Sequence, residues 1–325
     1  MPFTRREAIA GCGGLLWLAS FPALAQDYPS RTIKLIVPYP AGGTTDLLGR
    51  MVADQLKSGL GATVVVENKP GAGTVLGADQ VAKSEADGYT LLMATSTTLA
   101  INKTLYKKLP YDPVKDFAPI ALVAGVPFAL IINPDLPART LSEFIAYAKS
   151  KPGLAYGSAG NGSPQHLAAE MLKTAAEIDI RHVPYRGSIP AMLDVIAGHI
   201  PFMVVDLQPA LQQIKEGKVR VLGVTSPERV AAAPDIPTIA EGGLKGYELV
   251  AWQGVVAPAG TPRAVVDRLA GQINRLVADP ATQERLTAIS LTPLPPSTPD
   301  GLAAYVKAEV DRWAPIVKAS GAEAE

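Results

Sequence analysis

The segment IKLIVPYPAGGTTD, residues 33–46, decides the fold because it joins an apolar run to a helix start through a glycine-rich turn. The β-rich run at residues 33–37 predicts a buried strand. Residues 46–56 place their apolar side chains on one helical face, which predicts a helix. Between them, Gly42 and Gly43 allow a tight turn. The segment therefore predicts a strand followed by a helix, the repeating unit of α/β folds.

This alternation of strands and helices continues along the chain. After the opening unit, we predict a helix at residues 75–83 and strands at 63–67 and 89–94. The second half has predicted strands at 180–183, 202–205 and 219–224, and predicted helices at 141–149, 164–175, 189–197 and 209–216. The last part is helical, at 265–277, 281–289 and 301–318. It has too few strands for its own sheet, so we expect these helices to cover the first domain. The alternation predicts parallel sheets with helices on both faces.

Composition excludes several classes of protein. The 325 residues suffice for two domains, because single cores stop growing efficiently at roughly 250 residues. Lys and Arg total 30, as do Asp and Glu, so the formal net charge is zero. Without a basic excess, nothing indicates nucleic-acid binding. The three histidines have no zinc-type spacing, and we expect neither a metal nor a cofactor.

Residues 1–25 are interpreted as a cleaved signal peptide. Arg5 and Arg6 precede an apolar run at residues 11–21, which is shorter than the ~20 residues that span a bilayer, and Ala25 ends a small-residue cleavage site. We expect cleavage after about Ala25 and a periplasmic protein, with the Sec and twin-arginine routes both open. Cys12, the only cysteine, lies at the start of the apolar run instead of after it, which disfavours lipidation. Its removal leaves a cysteine-free chain that suits an oxidising compartment.

Two glycine-rich loops at helix starts are candidate anion sites. The first, residues 37–46, lies where a helix N-terminus favours negative charge, and Asp46 in the first turn can cap that helix. Alternatively, its two glycines only make a tight turn. The second loop, residues 156–166, offers Ser163 as a natural N-cap before Pro164. His166 follows in the first turn, where a histidine is more often a satisfied core or surface residue than a ligand contact.

Four further positions have a binding role and a structural role as open alternatives. The hydroxyls at residues 95–98 either face the cleft or cap the next helix. Arg186 supplies a cation or is a solvated surface residue. Asp206 receives a ligand ammonium or caps a helix near residue 209. Trp252 lines the cleft or packs in the core, which is more usual for an isolated tryptophan.

Ordered motifs extend over nearly the whole chain after residue 25. They are Tyr28-Pro29, the loop at 38–46, ENKPGAG at 67–73, LPYDP at 109–113, the loop at 156–166, VPYRG at 183–187, Trp252 and Ala257-Pro258. In these motifs the chain resembles the Bug-type receptors of tripartite tricarboxylate transporters. Tyr39 stands where Phe is common in that family, and Arg186 where Lys is common. Asp206 is followed by Leu207-Gln208 where small polar residues are usual.

The resemblance implies an α/β, two-domain periplasmic-binding-protein fold of the Venus flytrap kind. It is type II-like, with two βα sandwich domains and a cleft between them. We place domain 1 at residues 26–126 and 251–325 and domain 2 at residues 127–250. The implied function is capture of a small carboxylate, which is a di- or tricarboxylate, an acidic amino acid or an aromatic acid. The implied partner is the membrane permease of a tripartite tricarboxylate transporter, and the receptor is expected to be a monomer.

The resemblance and the reasoning on individual residues together give the expected ligand contacts. The resemblance implicates Tyr39, Ala41, Gly43, Thr44, Asp46, Ser158, Ala159, Gly162, Ser163 and His166. The residue types and their positions add Gly42, Ser96, Thr97, Gly160, Asn161, Arg186 and Asp206.

Two other functions compete with transport. A sensor that presents the carboxylate to a membrane signalling protein needs the same clamshell. An exported enzyme is disfavoured because two motifs fail. A dinucleotide-binding loop at residues 71–76 has Leu76 in place of its third glycine, and a nucleophile elbow around Ser158 has Tyr156 in place of its first glycine. We therefore expect no catalytic residues.

Overall fold

The computed structural model describes residues 28–324, so the predicted signal peptide lies outside the described residues. The chain begins with β1 (Ile33–Val37), α1 (Thr44–Leu60), β2 (Val64–Asn68), α2 (Val75–Ala82), β3 (Thr90–Thr95) and α3 (Asn102–Leu105). The middle contains β4 (Phe117–Ile132), α4 (Leu141–Ser150), β5 (Leu154–Ser158), α5 (Pro164–Ala176), β6 (Ile180–Pro184), α6 (Ser188–Ile196), β7 (Phe202–Asp206), α7 (Leu207–Lys215) and β8 (Arg220–Val224). The last part contains β9 (Val250–Pro258), α8 (Arg263–Ala278), α9 (Pro280–Ala288), β10 (Thr292–Pro293) and α10 (Pro299–Ser320).

The strands form one continuous path in the order β2-β1-β3-β9-β4-β7-β5-β6, with β8 and β10 paired to β4. The βα units predicted from the sequence pair in parallel, β1 with β2 and β3, and β5 with β6 and β7. The two long strands β4 and β9 run antiparallel to their neighbours. The sequence did not predict these two strands, nor β5 before the second glycine-rich loop.

Strand β4 connects two groups of strands. Over residues 117–127 it pairs with β9, and over residues 128–132 it pairs with β7 and β8. The first group therefore contains β1, β2, β3 and β9, and the second contains β5, β6, β7 and β8. The domain boundaries given above stay a prediction.

Strand β1 is covered on both faces, and its side chains alternate between two apolar clusters with the period of a strand. Leu35 and Val37 of β1 pack into one apolar cluster with Leu48 of α1. Ile36, between them, packs into the opposite cluster with Leu302 of α10. As predicted, the C-terminal helices return to this group, since α8 packs on α1 and β4 and α10 packs on β4.

A buried carboxylate fastens α10 to β9. Glu309 Oε2 accepts hydrogen bonds from Trp252 Nε1 at 2.7 Å and Trp313 Nε1 at 2.9 Å. Arg312 lies 3.2 Å from the other carboxylate oxygen. Among the helices in residues 28–324, none has the length and apolar character needed to cross a membrane.

Candidate ligand-binding site

A cavity of about 250 Å³ lies where β4 and β9 pass between the two strand groups. Val126 and Phe128 of β4 line it together with residues 251–253 of β9. The remaining lining comes from the glycine-rich turn before α1, the end of β3, and the starts of helices in the second group. The loop ends that follow parallel strands thus meet on one cavity, as expected for ligand sites in open α/β sheets.

Helix N-termini from both strand groups converge on this cavity. Thr44 of α1, Gln165 of α5, Ser188 of α6 and Asp206 immediately before α7 all line it. The N-cap residues of α1, α6 and α7 make no side-chain capping hydrogen bond. First-turn N–H groups have no partner within their own helix, and the helix dipole adds partial positive charge there. The cavity is therefore polarised to receive an anion.

Asp46 holds the first loop in place from outside the cavity. Its carboxylate accepts hydrogen bonds from Gly42 N, Asn68 Nδ2 and both Arg50 Nε and Nη2, each at 3.0 Å. Burial opposes ionisation of Asp46, but these hydrogen bonds and the Arg50 charge outweigh it and lower its pKa. The side chain thus fixes the turn before α1 and does not cap that helix.

The end of β3 contributes hydroxyl groups. Ser96 and Thr97 both line the cavity, and Tyr39 donates a hydrogen bond from its hydroxyl to Thr97 Oγ1 at 3.2 Å. Burial raises the pKa of Tyr39 to about 12, so the phenol stays neutral and can donate. Thr98 N donates a long hydrogen bond of 3.4 Å to Thr95 Oγ1, but Ser96, the N-cap of the helical turn at residues 97–101, makes no side-chain capping bond.

Asp206 ends β7 as predicted and faces the cavity. Its Oδ2 accepts from Thr44 Oγ1 at 3.0 Å, which joins the two strand groups across the cavity. Its Oδ1 accepts from Gln165 Nε2 at 2.6 Å, and Ser188 Oγ lies 3.5 Å from Oδ2. Burial raises the pKa of Asp206, although these donors act in the opposite direction. The helix-capping alternative is therefore wrong, since Asp206 makes no capping bond to α7.

Three buried polar atoms around the cavity have no hydrogen-bond partner within residues 28–324. They are Ser96 Oγ, Gln165 Oε1 and Gln253 Oε1, and all three residues line the cavity. A buried polar atom without a partner costs free energy. Such atoms are expected where a ligand supplies the missing hydrogen bonds.

The cavity lining contains one cation, Arg186, which is exposed. Trp252 is buried and also lines the cavity, so both alternatives for it hold. Ala41 and Gly43 complete the group of predicted residues that the structure brings together here, which are Tyr39, Ala41, Gly43, Thr44, Ser96, Thr97, Arg186 and Asp206.

Most of the second glycine-rich loop lies beside this cavity, and only Pro164 and Gln165 near its end line the cavity itself. Ala159, Gly160, Asn161 and Ser163 line a neighbouring cavity of about 540 Å³. Tyr39, Thr97 and Arg186 line both cavities. The role of the second loop in ligand binding stays a prediction.

A buried histidine pair supports that loop. Ser158, at the end of β5, shares a 2.6 Å hydrogen bond with His182 Nε2. Gly162 N donates to His166 Nδ1 at 3.0 Å, and the rings of His166 and His182 stack with 3.8 Å between centroids. Burial lowers the pKa of His166 to about 3 and that of His182 to about 4.

Five of the predicted ligand contacts line neither of the two cavities. They are Gly42, Asp46, Ser158, Gly162 and His166.

Sequence reasoning missed four polar residues of the cavity, namely Thr45, Gln165, Ser188 and Gln253. Two of them carried a signal. Gln253 is a polar residue within the apolar run of residues 250–258, and Gln165 directly follows the predicted N-cap and Pro164. Within residues 28–324, no group of three or more histidines or carboxylates is arranged to hold a metal ion.

Comparison with known proteins identifies similar chains. The family model described as the tripartite tricarboxylate transporter family receptor matches residues 48–322. The structure of Rpa4515 from R. palustris with adipate is 35% identical, covers 91% of this chain and 99% of that one, and has a TM-score of 0.88. The periplasmic binding protein BugD is 38% identical, with 92% and 100% covered and a TM-score of 0.86. MatC from Rhodopseudomonas palustris with bound malate is 33% identical, with 89% and 100% covered and a TM-score of 0.84.

These similarities extend over almost the full length of each solved chain. At this identity and coverage they confirm the predicted fold class, an α/β fold of the periplasmic-binding-protein kind.

Proposed function

The chain belongs to the Bug-type receptors of the tripartite tricarboxylate transporter family, and on this basis we propose that it captures a small carboxylate in the cavity that is lined by β4 and β9. The observation that carries the proposal is the convergence of uncapped helix N-termini on that cavity. Two similar proteins were solved with carboxylates, one with adipate and one with malate. The family consists of solute-binding receptors, and we propose no enzymatic activity.

The carboxylate would be held by dipoles more than by formal charge. The first-turn N–H groups of α1 next to Gly43 are donors on one side of the cavity. Oriented donors in a water-poor site stabilise an anion without a paired cation. Arg186 is exposed, so it contributes from the edge, where solvent weakens its charge.

The size of the cavity restricts the ligand. Pockets for drug-sized molecules have volumes of about 300–1,000 Å³, whereas this cavity has about 250 Å³. A small carboxylate is therefore the expected class. The apolar floor of Val126, Phe128 and Trp252 suits a ligand whose carbon skeleton spans two polar ends.

A thermal-shift screen tests carboxylate binding. Mono-, di- and tricarboxylates and amino acids are each added to the purified chain. A carboxylate present at ~100 times its dissociation constant stabilises the folded state by about 2.7 kcal/mol, so at least one should raise the melting temperature. Matched amines and alcohols without a carboxyl group serve as controls. If no carboxylate raises the melting temperature, the proposed function is wrong.

We further propose that the receptor is periplasmic, as receptors of this family are, and that it delivers its ligand to a transporter permease. Deleting the gene should then abolish uptake of the carboxylate found in the screen. In the same deletion strain, the carboxylate should still induce its genes when it enters the cell through another uptake system. Normal uptake with lost induction would instead show a sensor.

A further inference from the structure

We infer that residues 321–324, the segment that follows α10, hold the second glycine-rich loop in place and thereby strengthen ligand binding. We call this segment the strap. The inference rests on the proposed function and adds positioning residues to its site. It comes from hydrogen bonds that fasten the strap to the first strand group and a loop of the second group to the strap.

The strap is anchored at the end of α3. Ala324 N donates to Leu105 O at 2.9 Å, and Lys107 N donates to Ala324 O at 3.2 Å. Residue 324 thereby forms a parallel β-bridge with Tyr106. The Lys107 ammonium also lies 2.7 Å from the Glu323 carboxylate, although both side chains are exposed and such a pair contributes little. The two backbone hydrogen bonds therefore provide the anchor.

The second loop is fastened to the strap by a side chain. Asn161 Nδ2 donates to Glu323 O at 2.7 Å. Next to it, Gly162 packs so closely on α3 that an added Cβ would lie 1.9 Å from Leu105 Cδ2. Gly162 also has φ of +69°, and both features require glycine at this point. Leu105 thus contacts the strap through its carbonyl and the loop through its side chain.

Asn161 is linked to the ligand cavity through a tight turn. Ser163 N donates to Gly160 O at 3.1 Å, which closes the turn around Asn161. Ser163 is the N-cap of α5, and the next two residues, Pro164 and Gln165, line the ligand cavity. A shift of Asn161 therefore moves the start of α5 and the cavity wall with it.

The end of α3 also fixes the wall that faces the second loop. Tyr106 donates from its hydroxyl to Ala72 O at 2.6 Å. Residues 70–74 and residues 159–161 line the neighbouring cavity of about 540 Å³. The strap, the loop and the facing wall therefore meet at the end of α3, beside the ligand cavity. Loosening the strap frees the loop from this point, and a bound carboxylate should then be held more weakly.

Hydrogen–deuterium exchange on the protein without ligand tests the hold of the strap on the loop. Ala324→Pro removes the N–H that donates to Leu105, at a residue that lines neither cavity. Peptides that cover residues 156–166 should exchange about fivefold faster in this variant, which corresponds to the loss of one hydrogen bond between neutral groups. Ala324→Ser keeps the N–H and is the matched control, which should exchange like the wild type. Exchange in α8 should stay unchanged in both variants, because a general loss of stability would accelerate exchange everywhere.

Calorimetry tests the consequence for binding, with adipate, malate and the other acids of the thermal-shift screen as probes. Each acid that binds the wild type should bind Ala324→Pro about fivefold more weakly and Ala324→Ser equally well. Asn161→Ala should weaken binding by at least as much. Adding Ala324→Pro to Asn161→Ala should cause no further loss, because both changes break the same contact.

The outcomes separate this inference from the proposed function. If exchange in the loop is unchanged in Ala324→Pro, or if the two losses of affinity add in the double variant, the inference is wrong and carboxylate binding stands. Unchanged affinity in Ala324→Pro despite a loosened loop also contradicts the inference. If no acid binds the wild type, the proposed function fails and the claim about binding strength fails with it, whereas the exchange experiment still decides whether the strap holds the loop.

Discussion

Gly42 and Gly43 are adjacent in the turn before α1, but only Gly42 has a backbone conformation that favours glycine. Gly42 has φ of +87°, a left-handed conformation that an L side chain adopts only at a cost. Gly43 is the N-cap of α1, has φ of −87°, and a Cβ added there would meet nothing within 4 Å. A side chain at Gly43 is thus tolerated by the fold but enters the cavity.

Replacing Gly43 with serine should separate stability from binding. A serine at the N-cap accepts a hydrogen bond from a first-turn N–H, the same group that we assign to the ligand carboxylate. We expect Gly43→Ser to raise the free energy of unfolding by roughly 0.5 kcal/mol and to weaken carboxylate binding about tenfold. Urea unfolding and calorimetry measure the two effects.

The control for this variant is Gly42→Ala, which should lower the free energy of unfolding by about 1 kcal/mol because of its positive φ. Unchanged affinity in Gly43→Ser would show that the ligand does not use the start of α1.

The stacked histidines predict a loss of stability in mild acid. Their folded pKa values of about 3 and about 4 lie below the value of about 6.5 for histidine in an unfolded chain. Between these values the unfolded chain binds more protons than the folded one. Their contribution to stability is therefore fully present above about pH 6.5 and is lost as the pH falls toward about 4.

We expect His182→Gln to make this loss less steep between about pH 7 and about pH 5, measured as the urea midpoint at each pH. His199→Gln, at an exposed histidine, is the matched control and should follow the wild type. Identical slopes in His182→Gln and the wild type would contradict the assignment.

Residue types at loop positions could be predicted from the sequence, but their partners could not. Asp46 was expected at the start of α1 and lies there, yet its carboxylate holds Gly42, Arg50 and Asn68. The hydrogen bond between Thr44 and Asp206 joins residues that are 162 positions apart in sequence. Such contacts depend on how two separate loops meet, and no local pattern encodes that.

At the scale of helices and strands, the βα units were predictable because each has its own periodicity. Helix α5 begins at Pro164 as expected, with Ser163 accepting from His166 N. Strands β4 and β9 were missed. Nearly all of β4 is buried, so it lacks the apolar and polar alternation of a half-buried strand. Their antiparallel pairing joins residues far apart in sequence.

Helix α10 should depend on one carboxylate for its attachment to β9. Glu309→Ala would leave two buried indole N–H groups, those of Trp252 and Trp313, without their acceptor. We expect a loss of about 3 kcal/mol in the free energy of unfolding, measured by urea unfolding. Glu284→Ala, on the exposed side of α9, is the control and should change stability little. A loss as small as that of the control would contradict this role for Glu309.

At the scale of the whole molecule, the cavity lies where the chain passes twice from one strand group to the other. Strands β4 and β9 form its floor. The hydrogen bond from Thr44 to Asp206 joins the two strand groups across it.

The most direct test of carboxylate capture at the start of α1 is a crystal structure with the tightest-binding acid from the thermal-shift screen. We expect a ligand carboxylate to accept hydrogen bonds from the first-turn N–H groups of α1, inside the cavity lined by Tyr39, Thr44 and Gln253. The Thr44 to Asp206 contact should remain across it. A ligand bound outside this cavity, or one whose carboxylate avoids α1 and contacts only Arg186, would contradict the account.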